Sequence, residues 1–115
     1  YVPHSRKIIS VRREFDKVKE ALEQGRQRLI ERLFEDLELL APFNELNDYE
    51  LYVVLIKSVA LVELLHKPCK HVEGAKKLII EIHNYLEREE TIPRELYKYS
   101  KSIIELVTRE CLEIP

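Results

Sequence analysis

At 115 residues, with 45% hydrophobic and 35% charged residues and a net charge of −2, the chain is long enough for one domain with a core and too short for two. Two glycines and five prolines leave few tight turns, which argues against a hairpin-rich sheet protein. Two cysteines exclude the dense disulfide framework of a small secreted domain and leave a single Cys69–Cys111 bridge open. The absence of Met and Trp beside many Glu, Lys, Arg and Ile is a thermophile-like composition.

Charge is unevenly spread. Residues 1–32 hold nine Lys/Arg against five Asp/Glu, whereas residues 33–66 hold one Lys against seven acids. A basic arm followed by an acidic middle implies charge complementarity or a polarised surface, and excludes a uniformly basic nucleic-acid-binding chain. There is no signal peptide and no stop-transfer run, so the expected location is the cytoplasm, without a membrane. The chain opens on Tyr1 and not on Met, which leaves room for a segment upstream.

The first four residues are expected to be loose, with Pro3 breaking any helix. From Ser5 or Ser10 to about Leu40 the pattern is helical. Val11, Phe15, Val18, Leu22, Gly25, Leu29 and Leu33 step by three or four residues, close to a heptad seam. Gly25 marks either a close helix contact or a break, because glycine inside a helix costs about 1 kcal/mol against alanine. Beyond it the apolar face widens through Leu29, Ile30, Leu33, Phe34, Leu37, Leu39 and Leu40, so this half is expected to be the more buried.

After the connector APFNELN, Asp48–Lys67 reads as the central helix. Twelve of the fifteen residues from Leu51 to Leu65 are apolar, which leaves hardly any polar stripe and implies a helix wrapped by others. The stretch is too short and too charged for a bilayer span of about 20 residues. Its length exceeds the roughly 10 residues of a long strand. Asn47 or Asp48 can cap it and Glu50 complements its N-terminus. Pro68 stops it. A third helix is expected over Val72–Glu89. A fourth should be capped by Thr91 and run to about Glu113, with Leu96, Tyr99 or Ser100, Ile103, Leu106 or Val107 and Cys111 facing inward. The fold class is all-α: a compact antiparallel bundle of four to five helices with a long N-terminal helix and a buried central one.

Few constellations carry chemistry. His66, Cys69 and His71 in HKPCKH are the densest candidate metal ligands, with His83 or Cys111 as a fourth. Their spacing fits no standard zinc signature, and the expectation is no metal and no cofactor. Arg12, Lys19 and Arg26 repeat every seven residues. With Arg13, Arg28 and Arg32 they form a stripe able to track phosphates, although Glu14, Asp16, Glu20, Glu23 and Glu31 are interleaved. Tyr85, Tyr97 and Tyr99 suit core-edge packing better than base stacking. No Gly-rich phosphate loop, GxSxG, HExxH or DxDxDG pattern is present. Glu89 and Glu90 are adjacent and face apart on a helix. The chain reads as non-catalytic.

Arg-Gln-Arg at 26–28 with LIERLFEDLELL, then LNDYELYVVLI, resembles the helical domain of GINS replication subunits. There an Arg-containing helix leads through a short acidic link into an apolar helix. Residues 30–86 are similar in helix spacing to the helical domain of primase large subunits, without that domain's cysteine ligands. These resemblances imply an accessory subunit of a DNA replication complex and assign no functional residue. The residues themselves favour a protein–protein interaction module, an accessory subunit of a larger assembly. It would dock a partner, or its own copy, through Val11, Phe15, Val18 and Leu22. Nucleic-acid binding through the basic stripe is the alternative.

Overall fold

The computed structural model describes the backbone of residues 3–114 and the side chains of residues 13 and 16–114. The described residues form four helices, α1 (Pro3–Leu40), α2 (Asp48–Leu64), α3 (Val72–Glu87) and α4 (Arg94–Leu106), and a π-helical turn, Val107–Cys111. Among the described residues there is no strand.

α2 is the hub, packing against α1, α3 and α4, while α3 also packs on α4. Its N-terminus is held by a capping box. Asn47 Oδ1 accepts the Glu50 N–H at 2.8 Å, and Glu50 Oε1 accepts the Asn47 N–H at 3.0 Å, which satisfies two N–H groups the helix cannot bond itself. Leu51, Val54, Leu55, Val59, Leu61 and Val62 are buried, with Leu55 at 1% exposure. Ile30, Leu33 and Leu37 of α1, Ala75, Leu78 and Ile82 of α3, and Ile103 and Ile104 of α4 complete the core.

Several boundaries differ from expectation, each for a local reason. α1 begins at Pro3, because proline in a first turn lacks only an N–H that would be unpaired anyway. Gly25 neither breaks α1 nor permits a close contact. The helix runs through it, and an added Cβ would meet nothing within 4 Å. α2 ends three residues before Lys67. His66 takes a left-handed φ of 53°, its N–H reaches Glu63 O and that of Lys67 reaches Val62 O, a Schellman ending. Glu89 repeats this after α3 (φ 55°, with Glu89 N–H to Leu86 O and Glu90 N–H to Tyr85 O), so α3 stops at Glu87. With two glycines in the chain, ordinary residues fill these positions.

Thr91 is not the cap of α4. Pro93 occupies that position, and the preceding Ile92 is pinned by its N–H to Asp48 Oδ2 at 3.1 Å. On α4, Ser100 faces the core and Tyr99 the solvent. The regular helix ends at Leu106 because the Thr108 hydroxyl donates to Ile104 O at 2.8 Å. Such back-bonding perturbs a helix, and the backbone widens to Leu112 N–H on Val107 O.

α1 does not stay within the bundle. The structure measures 72 × 33 × 24 Å, and the 38 residues of α1 alone span about 57 Å at 1.5 Å per residue. Every described side chain from Asp16 to Gln24 is exposed, and burial begins at Arg26 and Ile30. Residues 16–25 therefore stand clear of the bundle as an arm, on a helix whose backbone continues to Pro3, about 34 Å from Gly25 at 1.5 Å per residue.

Candidate interaction surface

Two elements build the candidate surface, the arm and the side of α2 left uncovered beside it. On the arm, Val18 and Leu22 are 57% and 69% exposed, and the line continues to Leu29 at 48%. Burying apolar surface of this kind contributes about 25 cal/mol per Å², and nothing in the fold buries it. The side chains of Val11, Phe15 and Arg12, named from the sequence, lie outside the described ones.

The arm's root is fixed. The Arg26 guanidinium donates to the carbonyl oxygen of Leu64 and pairs with Glu23 at 3.2 Å. Leu64 is the last residue of α2, where carbonyls lack helical partners and a cation is favoured. Arg26 thus acts as a structural clasp between α1 and the end of α2. Arg32 leans on Asp36 at 3.5 Å. Arg13, Lys19 and Arg28 are exposed and, among the described residues, without an ion pair.

α2 is not wrapped on every side, contrary to expectation. Tyr49, Ile56 and Glu63, seven residues apart, are exposed, with Val53 and Ala60 half-buried between them. On one border Lys57 Nζ donates to Asp36 of α1 at 3.0 Å. On the other, Tyr52 Oη meets His83 Nδ1 of α3 at 2.9 Å and Glu63 pairs with Lys76. The uncovered strip is therefore an exposed, largely apolar face of α2 between α1 and α3, helices that make no extensive contact with each other. The Lys57 hydrogen bond, aided by the charges of Lys57 and Arg32, holds the Asp36 carboxyl below its ordinary pKa. The Glu63 hydrogen bond raises Lys76.

The candidate metal ligands do not form a site. Cys69 is bonded to Cys111, which removes both thiolates. His71 Nε2 instead meets Glu110 Oε2 at 2.7 Å, and that hydrogen bond, with the charges of His71, Lys70 and Arg109, depresses the Glu110 pKa. His66 is exposed at the end of α2. Among the described residues no three His, Cys, Asp or Glu side chains are placed to share a metal ion. Tyr97 Oη donates to Leu46 O, a core-edge role, while Tyr85 lies under the Arg88 guanidinium at 5.0 Å.

The arm was legible in the sequence. The open face of α2 was not, because Tyr49, Val53, Ile56 and Ala60 belong to a run so apolar that its open side carries no polar marker. The one available signal was the seven-residue spacing of Tyr49, Ile56 and Glu63. Among the described residues, no helix is long and apolar enough to cross a membrane. Comparison with protein-family models, with curated proteins and with solved structures finds no match, so neither resemblance noted in the sequence is carried further.

Proposed function

We propose that the protein is a non-catalytic helical interaction module, an accessory subunit of a larger assembly, that docks through its N-terminal arm. The observation that carries this reading is the exposed apolar line Val18–Leu22–Leu29 on a helix anchored at Arg26 and free beyond it. A helix presenting residues at three- and four-residue steps is recognised by laying that line against another helix. The cytoplasmic location proposed with this reading rests on the thermophile-like composition, because cytosolic disulfides such as Cys69–Cys111 are rare outside hyperthermophiles.

A second reading, a nucleic-acid-binding accessory factor, draws on the exposed cations Arg13, Lys19 and Arg28, which have no ion pair among the described residues. Two measurements separate the readings. Sedimentation of the wild type and of V18K/L22K tests apolar docking, and the variant is expected to lose association. Fluorescence anisotropy with a duplex oligonucleotide across a salt series tests phosphate contact. A steep loss of binding with salt, about 0.9 in log slope for each phosphate neutralised, would favour the second reading and sink the first if V18K/L22K bound equally well.

A further inference from the structure

We infer that the Cys69–Cys111 bridge is a thiol-operated latch: a dithiol reductant opens it at Cys69, and residues 107–114 then leave the core while α1–α4 stay folded. The latch involves none of the residues of the arm and stands apart from the docking reading.

The first argument is how little else holds this segment. The turn Val107–Cys111 continues directly from α4 and packs on α2. Beyond the helix its backbone bonds stay within the segment, Leu112 N–H on Val107 O and Ile114 N–H on Thr108 O. The Thr108 hydroxyl is turned back on the carbonyls of Ile104 and Glu105 in the adjoining α4. Among the described residues, the one hydrogen bond that ties residues 107–114 to an element other than α4 joins His71 to Glu110. Glu110 is 47% exposed, and an ion pair so open to water holds little by itself. What remains is the burial of Val107, Cys111, Leu112 and Ile114. The gain from burying so few side chains is comparable with the entropy lost in ordering the segment's backbone. The covalent bond therefore decides where the segment sits.

The second concerns the place of the bridge. Cys69 and His71 both lie in the α2–α3 link, and their partners Cys111 and Glu110 are neighbours in the turn. Bridge and ion pair thus fasten the same two pieces of chain at one point, and opening the bridge leaves only the exposed pair there. The helices do not need this fastening to meet one another, since α2 packs directly on α1, α3 and α4.

The third is access. Cys111 is 8% exposed within the core. Cys69 is half-buried and lines an open surface cavity of about 550 Å³ with His66, Lys67, Val72 and Lys76. A thiolate from solvent reaches Cys69 through that cavity, whereas Cys111 is shielded by the core. One thiolate of the reductant attacks Cys69 Sγ, the Cys69–Cys111 S–S bond breaks, and its electron pair leaves on Cys111, which takes a proton from water. The reductant's second thiolate then attacks the reductant sulfur in this mixed disulfide, closes a cyclic disulfide and expels Cys69 as a thiolate. Two electrons pass from the dithiol to the bridge.

The test uses the full-length oxidised chain without denaturant. Dithiothreitol should reduce the bridge while the helical circular dichroism is retained. Hydrogen exchange read by mass spectrometry should protect residues 107–114 before reduction. Afterwards they should exchange within about tenfold of an unstructured peptide, while residues 54–62 of α2 stay protected by about 100-fold or more. Glutathione, a monothiol, stalls at the mixed disulfide, and peptide mapping after an acid quench should find it on Cys69. A bridge that reduces only in denaturant, or a reduced chain that unfolds throughout, overturns the latch. So does an adduct on Cys111, or protection of residues 107–114 that survives reduction.

Discussion

Arg26 on α1 closes the C-terminal end of α2 by donating to the carbonyl of Leu64, 38 residues away in sequence. This contact divides α1 into a packed half and a free arm. Replacing Arg26 with Met keeps much of the side chain's apolar length and removes the charged donor. The side chain is about one-third exposed, so the loss should lie near the low end for a charged hydrogen bond, about 1 kcal/mol. Urea unfolding should show this as a lowered midpoint at unchanged slope. No change would mean that the clasp contributes nothing and that burial of Ile30, Leu33 and Leu37 alone fixes the root of the arm.

The core contains its own contrast. Leu55→Ala should cost about 2–5 kcal/mol, since a fully enclosed leucine leaves a cavity behind. Ser100→Ala should be neutral or stabilising, because the Ser58 and Ser100 hydroxyls are buried with no hydrogen-bond partner among the described residues and an unpaired buried hydroxyl costs about 1–3 kcal/mol. Chemical denaturation of the two variants checks both signs. A destabilised Ser100→Ala would mean that the hydroxyl has a partner after all.

How much of this was readable beforehand depends on where the physics is local. The central helix announced itself through Leu51–Leu65, and the depth of Leu55, Val59 and Val62 followed from its lack of a polar face. The Asn47–Glu50 box was also written locally. Gly25 misled because a helix interior tolerates glycine when nothing approaches it. The caps at His66 and Glu89 were hidden, as neither residue type signals a left-handed turn. Arg26 looked like one cation of a stripe, since its partner is a main-chain carbonyl that carries no sequence mark. The Cys69–Cys111 bond was one of two readings of Cys69 and needed the tertiary arrangement to decide it.

The disulfide closes a loop with a sequence separation of 42 residues, tying the α2–α3 link to the last turn. On a chain-entropy account such a loop contributes about 4 kcal/mol. Melting with and without a thiol reductant should show a drop of more than about 10 °C on reduction. The C69S/C111S variant should reproduce the reduced curve. A melting temperature indifferent to reductant would mean that the bridge is not formed in the purified protein.

Stability should fall on the acid side. Asp36 and Glu110 have depressed pKa values in the folded chain, so their contribution is full above the ordinary carboxylate range, near 4. It is lost as pH falls through the lower folded values. Lys76, raised by Glu63, behaves oppositely and loses its contribution only at alkaline pH. Unfolding midpoints measured from neutral pH downward should decline more shallowly for Asp36→Asn than for wild type. An identical acid limb would show that the Lys57 contact does not hold Asp36 in solution.

The central claim is that α1 before Arg26 projects from a core that does not need Val18 and Leu22, and the melting curve of V18K/L22K tests it most directly. The wild type should melt at a temperature that rises with protein concentration, as association requires. The variant should keep one cooperative transition, independent of concentration and close to the wild-type curve at high dilution. If the variant instead loses cooperative melting, or falls by more than about 15 °C at every concentration as two charges forced into a core would dictate, then Val18 and Leu22 are core residues and the arm does not exist.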